Sequence, residues 1–278
     1  MIIDFHTHIF PKNMRENREV FFKGEVAFET LYSPPQAKLA SAGDLIAAMD
    51  EADVQKSIVF GFPWENAEYF KRNNDYVIEA VGRYPDRLVG LACFSPFSPL
   101  GAAETKRCLD EGLWGVGELA VYTGGITAQV VQALAPVMTL CGQRNRLFML
   151  HTNEPVGHQY PGKTIHTLSQ IYDFVKAYPL NRIILAHWGG GILFYALMKK
   201  EVKTVLKNVW FDTAASPFLY SPEMYRVAGE VVGFDRILFG SDYPLIKPQR
   251  YFKEMGTAGL SPDQMALIMG LNAQRLLS

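Results

Sequence analysis

The sequence predicts a single closed (β/α)8 barrel spanning residues 1–278. Three observations predict it. Eight short apolar, β-branched runs recur along the chain, and amphipathic stretches of helical period separate them. After the first gap the repeat is about 27 to 35 residues, the length of one βα unit. A doubly wound open sheet is the rival architecture, but it carries a Gly-rich loop after its first strand. Here the first strand runs into IFPKNMREN, with no glycine at all.

The strand runs are IIDFHTH (2–8), KSIVFGF (56–62), LVGLACF (88–94), WGVGEL (114–119), LFMLHTN (147–153), RIILAHW (182–188), VWFDTAA (209–215) and RILFGSD (236–242). Most are nearly continuous in apolar character, as strands buried on both faces must be. The intervening GDLIAAMDEADV, DYVIEAVGRYP, ITAQVVQALAPVMTLCGQRN and SQIYDFVKAYP carry helical periodicity. Residues 9 to 42 are the irregular gap: a long loop after strand 1, rich in aromatics and proline, expected to act as a lid or a wall of the substrate site. The tail SPDQMALIMGLNAQRLL reads as a helix capped by Ser261. No linker or low-complexity segment divides the chain.

Charge and composition exclude several function classes. Lys plus Arg number 27 and Asp plus Glu 28, so no basic field recommends nucleic acid or a membrane surface as partner. Cys93, Cys108 and Cys141 are far apart and form no metal or disulfide framework, which fits buried thiols in a reducing compartment. No stretch approaches the roughly 18 apolar residues of a membrane span, and the first residues carry Asp4, His6 and His8 inside the apolar run, unlike an export signal. The expectation is a cytoplasmic protein with a small-molecule substrate; a homo-oligomer is compatible with all of this.

Barrel strands contribute their chemistry from the C-terminal ends. Those ends hold His6 and His8, Glu118, His151, His187 and Asp242. Each has an ordinary reading: Glu118 as a cap, Asp242 as a turn residue before Pro244, His187 as a bystander in a Gly-rich, anion-binding HWGGG. Independent caps and turns would not gather three histidine-bearing strands and a carboxylate on one face of one barrel. Side chains alternate along a strand, so Asp4, His6 and His8 share one face and the two imidazoles can chelate one ion. Imidazole and carboxylate suit Zn²⁺, Mn²⁺ or Fe²⁺. Zn²⁺ is the first expectation, as one ion or two, and Asp4 is expected near the ligands.

DFHTH on strand 1, a histidine ending strand 5, AHWGG on strand 6 and GSDYP on strand 8 resemble the amidohydrolase superfamily, over the whole chain and including the GLNAQRLL ending. The nearest branch is the amidohydrolase-related group, with aminocarboxymuconate-semialdehyde decarboxylase-like and resorcylate decarboxylase-like enzymes. The resemblance implies a TIM barrel of the metal-dependent hydrolase type. It implies that His6, His8, His151 and Asp242 surround a metal, with His187 close by and Asp242 carrying the proton. Two-metal members often carry a modified lysine at the end of strand 4; this chain has Glu118, which could bridge two ions.

Hydrolysis of an amide, ester or lactone by metal-activated water is the leading expectation, since Glu118 favours a water-activating site. Asp242 would move the proton and His187 would stabilise charge. The alternative is non-oxidative decarboxylation of a hydroxy-aromatic or semialdehyde carboxylic acid; a further one is a non-catalytic barrel that binds metal or a ligand. Glu154, His158, Tyr160 and Trp188 are the substrate-binding candidates. Phe10, Trp64, Tyr220 and Tyr243 could extend an aromatic wall, and Lys12, Arg15 and Arg18 could grip a carboxylate.

Overall fold

The structure, a computed structural model, describes residues 1–278. Eight parallel strands pair in sequence order: β1 (Ile3–His8), β2 (Lys56–Phe60), β3 (Leu88–Ala92), β4 (Gly115–Leu119), β5 (Leu147–Leu150), β6 (Arg182–Leu185), β7 (Val209–Asp212) and β8 (Ile237–Leu238). The Phe5 amide donates to the Phe239 carbonyl (2.7 Å), the Asp242 amide to His6 (2.9 Å) and the His8 amide to Tyr243 (2.8 Å), so the eighth segment closes on the first. The expected (β/α)8 barrel is present.

Helices α1 (Lys12–Glu16) and α2 (Val26–Tyr32) lie in the long segment after β1. The outer ring begins with α3 (Ala42–Glu51), α4 (Ala67–Arg83), α5 (Gly101–Asp110), α6 (Ala128–Gln143) and α7 (Leu168–Ala177). It continues through α8 (Lys200–Val205), the short α9 (Ser216–Leu219), α10 (Glu223–Val232) and α11 (Pro248–Thr257). The C-terminal run forms α12 (Pro262–Ala266) and α13 (Asn272–Leu277), joined by a π-helical turn. Ser261 caps α12 through a reciprocal bond with Gln264, as its sequence position predicts. Asn66 caps α4, which begins eight residues before the predicted stretch; its apolar face already includes Phe70.

Several apolar runs are longer than the strands they contain. β5, β6 and β8 end at Leu150, Leu185 and Leu238, so His151 and His187 stand on the first turns of loops and Asp242 in the segment past β8 that bonds to β1. Strict alternation also fails twice. Between Asp4 and Thr7, and again between Val116 and Leu119, one strand takes three steps where its neighbour takes two. Such bulges re-aim side chains beside active sites, and these two carry His6 and Glu118.

The segment from residue 9 to 42 packs against the loop after β2 and the start of α4. The Glu25 carboxylate accepts the amides of Glu65 (3.0 Å) and Asn66 (2.7 Å). Asn73 donates to the Ile9 carbonyl (3.0 Å) and accepts from the Trp64 indole (3.1 Å). Phe21 and Phe28 are buried against Trp64.

Five consecutive residues, His187 to Gly191, have left-handed backbone (φ 53, 61, 65, 61 and 92°). Glycine adopts this at no steric cost, whereas a side chain does not. Gly190 has a second constraint: a Cβ there would collide with the Asn153 carbonyl oxygen, so the loops after β5 and β6 could not meet. Gly190→Ala should therefore destabilise the protein by about 2 kcal/mol or more. Chemical denaturation checks this; an unchanged unfolding midpoint would contradict the close approach.

Candidate metal centre

The predicted ligands converge. His6 and His8 come from β1, Glu118 from β4, His151 from the end of β5, His187 from the turn after β6 and Asp242 from the segment after β8. His6 Nε2 lies 3.6 Å from Glu118 Oε2 and 3.7 Å from Asp242 Oδ1. His8 Nε2 lies 4.0 and 3.4 Å from the same two atoms. The other Glu118 oxygen, Oε1, is 2.9 Å from His151 Nδ1 and 3.4 Å from His187 Nε2. Three overlapping trios have ligand atoms within 4.8 Å of one another: His6–His8–Glu118, His6–His187–Asp242 and Glu118–His151–His187.

Three of the imidazoles are oriented so that they could hold an ion. His6 Nδ1–H donates to Asp212 Oδ2 (2.9 Å), His8 Nδ1–H to the Gly61 carbonyl (2.9 Å) and His187 Nδ1–H to the Ala214 carbonyl (3.0 Å). Each bond leaves Nε2 to face the centre, the arrangement typical of metal-bound histidine. His6 Nε2 is fully buried and has no hydrogen-bond partner. A buried polar atom left unpaired costs about 1–3 kcal/mol, and a cation among these donors removes that cost. The imidazole and carboxylate donors fit a divalent ion. His151 differs from the other three: both its nitrogens face acceptors, Glu118 Oε1 and the Gly162 carbonyl (3.1 Å).

The electrostatics carry the same imprint. Burial opposes charge on His6, yet Glu118 and Asp212 prevail and push its pKa up to about 10. His187 is pushed up to about 9 against the same burial, by Glu118 first and then Asp242. Burial would raise the Glu118 carboxyl, but His6 and His151 hold it well below the usual range. Asp242, likewise buried, is drawn down to about 2 by its bond to His8 and by His6.

Sequence reasoning missed Asp212, a fully buried carboxylate ending the apolar VWFD run. Besides His6, its Oδ1 accepts the amides of His187 (2.9 Å) and Ala214 (3.0 Å), so it fixes both an imidazole and the left-handed turn. A lone acid at the end of an otherwise apolar strand was the available signal. Asp4 lies beside the ligands, as expected. It accepts from the backbone of His6 (3.2 Å) and Ser241 (2.9 Å) and so ties β1 to the Asp242 segment. Cys93 lies against Glu118 and donates its thiol to the Glu118 carbonyl (3.0 Å).

The substrate candidates divide. Glu154 accepts from the Tyr160 hydroxyl (2.9 Å) and from the buried Lys163 (2.9 Å), a knot that orders the loop after β5. His158 is exposed at the loop tip. Trp188 is 0% exposed; its indole donates to Ser216 Oγ (2.6 Å) and packs on Tyr225. The structure brings neither His158 nor Trp188 to the ligands. His166 is structural: burial holds its pKa down to about 3, and its neutral ring accepts the Asn153 amide (3.3 Å). The first-segment cations are engaged elsewhere, Lys12 with Glu16, Arg15 with Phe10 and Asp44, and Arg18 with Ala37.

A family model described as Amidohydrolase matches residues 3–278. The chain belongs to the amidohydrolase family. It is 21% identical to the 2-amino-3-carboxymuconate-6-semialdehyde decarboxylase of Dictyostelium discoideum, over 99% of this chain and 93% of that one. Among solved structures it is similar to 5-carboxyvanillate decarboxylase from Sphingomonas paucimobilis, with a TM-score of 0.77, 17% identity and coverage of 99% and 98%. It is similar also to a dihydroxybenzoic acid decarboxylase from Polaromonas sp. JS666 with bound manganese and the inhibitor 2-nitroresorcinol, with a TM-score of 0.72, 19% identity and coverage of 99% and 96%. No helix of this amidohydrolase-family chain is long and apolar enough to cross a membrane.

The expectation of amide, ester or lactone hydrolysis is thereby corrected, because these relatives are decarboxylases. Its physical premise also fails. Glu118 was to favour water activation, but both its oxygens face imidazoles and neither is left as a free base.

In the metal-free protein, protons on His6 and His187 persist above the ordinary value of 6.5. A metal must displace them, so affinity rises with pH and binding releases protons. Calorimetric Mn²⁺ titrations should show binding at least about tenfold tighter at pH 8 than at pH 6. Affinity independent of pH would contradict the ligand assignment.

Proposed function

We propose that this chain is a metal-dependent, non-oxidative decarboxylase of a hydroxy-aromatic or semialdehyde carboxylic acid. The observation that carries the reading is an aromatic wall next to the imidazole–carboxylate cluster. Tyr122 lies 6.0 Å from the His151 ring and stacks on Phe62 at an interplanar angle of 15°, and Phe62 in turn meets Tyr32. Phe60 packs edge-on against His6 and His8. Phe60 and Phe62 are buried, so the partly exposed Tyr32 and Tyr122 rings are the flat face open to a planar substrate. The decarboxylase relatives support the same chemistry.

His6, His8 and Asp242 would hold the ion. Glu118 turns one oxygen to that set and the other to His151 and His187, which offers a place for a second. Zn²⁺ and Mn²⁺ both suit these donors, and the manganese of the Polaromonas enzyme favours Mn²⁺. When bound, the ion would orient the substrate oxygens and stabilise negative charge on them.

The chain's own residues supply the rest. Asp242, ionised at neutral pH, takes the proton of the substrate hydroxyl and returns it to the ring carbon that bears the carboxylate. The carbon–carbon bond then breaks with its electron pair staying on the ring. A hydroxybenzoate thus yields a phenolate and CO2, with charge conserved. Asp212 holds the His6 tautomer, and Glu154 and Tyr160 keep the loop after β5 at the mouth of the site.

The test is CO2 release from a panel of 2-hydroxybenzoate, 2,6-dihydroxybenzoate, 5-carboxyvanillate and 2-amino-3-carboxymuconate semialdehyde, with Mn²⁺- and Zn²⁺-loaded protein. At least one should turn over. Asp242→Asn should lose about 10²-fold or more in rate, while retaining metal, because an amide oxygen can still face the ion but cannot carry the proton. Full activity of metal-loaded Asp242→Asn would remove the proton carrier.

A further inference from the structure

The aromatic wall carries two hydroxyls whose role the packing leaves unassigned. Tyr32 ends α2 in the long segment after β1, and Tyr122 lies just past β4. Both rings are held by neighbours: Tyr32 by Phe10, Phe28 and Phe62, Tyr122 by Phe62 and His151. Every other tyrosine next to the site has a partner for its oxygen. Tyr160 donates to Glu154, and Tyr220 donates to the His187 carbonyl (3.1 Å). The Tyr32 and Tyr122 hydroxyls make no hydrogen bond within the protein, and neither is sealed in the interior. Tyr122 stands 6.0 Å from the His151 ring, and Tyr32 meets the same Phe62 on which Tyr122 stacks, so both rings lie next to the ligand cluster.

Apart from a bound ion, a carboxylate substrate approaching this cluster meets no unpaired cation among Lys163, which is bound to Glu154, and Lys12, Arg15 and Arg18, which are engaged as described above. The donors left beside the ligand set are the two phenols. Burial, reinforced by Asp242 and Glu118 at Tyr32 and by Glu118 at Tyr122, raises both above the ordinary value, so each keeps its proton and acts as a donor.

We propose that Tyr32 and Tyr122 are substrate-binding residues, their hydroxyls donating as neutral phenols to the carboxylate of a planar aromatic acid, where another site would use an arginine. The assignment rests on the decarboxylase reading and names the substrate groups it requires: a flat ring, a carboxylate, and the neighbouring hydroxyl that Asp242 deprotonates. Neutral donors also suit the chemistry. A guanidinium pair would stabilise the ground-state carboxylate strongly and would be lost as the group becomes uncharged CO2. A phenol gives up less.

The experiment is calorimetric titration of 2-hydroxybenzoate into Mn²⁺-loaded wild type, Tyr32→Phe, Tyr122→Phe and the double variant, with phenol as the ligand lacking a carboxylate. Each single variant should bind 2-hydroxybenzoate about tenfold more weakly, and phenol should change by less than about twofold. Melting temperature and metal content should stay at wild-type values, because neither hydroxyl bonds within the protein. Three results overturn the assignment: no binding of 2-hydroxybenzoate to wild type, unchanged affinity in both variants, or equal weakening for phenol. All titrations, that of the wild-type tyrosine pair included, are made in the Asp242→Asn background, which keeps the metal and suppresses turnover, so that binding alone is read. Weakened binding in a chain that decarboxylates nothing would leave the tyrosines in place and remove the function; turnover with unaltered binding would do the reverse.

Discussion

The Glu118 carboxylate, 6% exposed and set among four imidazoles, is the constraint on which the rest of the structure depends. Two unit charges about 4 Å apart interact by roughly 4 kcal/mol at the effective dielectric of a protein. A buried carboxylate without such partners would be neutralised or expelled. Asp212 and Asp242 add two more acids to the same pocket. Such a cluster is tolerable only with positive charge at its centre. Protons on His6 and His187 supply it in the metal-free state, and a divalent ion supplies it more compactly. The unpartnered Nε2 of His6 marks where the protein leaves room for that ion.

Much irregular backbone serves this knot. The bulges in β1 and β4 fall at His6 and Glu118. The left-handed run from His187 to Gly191 turns the chain sharply after β6, and Asp212 holds it by accepting the His187 amide. Asp242 too has left-handed backbone, with φ 60°. Strain of this kind persists only where surroundings over-determine it. Here those surroundings are the closing bonds between β1 and the eighth segment and the Asp4–Ser241 contact beneath them. The barrel is the rigid part; the centre is assembled on its upper rim.

The strands were legible because parallel barrel strands are apolar on both faces, so a polar residue at the end of one stands out. That contrast exposes His6, His8, Glu118, His151, His187 and Asp242, each by its place on a run. It hides what depends on tertiary contact. Tyr32 sits deep in a segment of irregular sequence, and nothing local says that α2 brings it against Phe62, just past β2. Trp188 looked like a substrate wall because it follows His187, but the left-handed turn sends it under Ser216 and Tyr225. Glu118 misled more instructively. Its identity suggested water activation, but its chemistry depends on what each oxygen touches, and sequence does not report that.

The central claim is that the buried cluster is a divalent-metal centre built from these particular side chains. Anomalous diffraction across the manganese edge, on crystals of Mn²⁺-loaded wild type and His8→Ala, tests it most directly. The account predicts a peak in wild type in ligand contact with His6 Nε2, His8 Nε2 and Asp242 Oδ1, and a diminished or absent peak at that position in His8→Ala. A wild-type crystal with no peak among these residues, or an equally strong peak after His8 is removed, would contradict it.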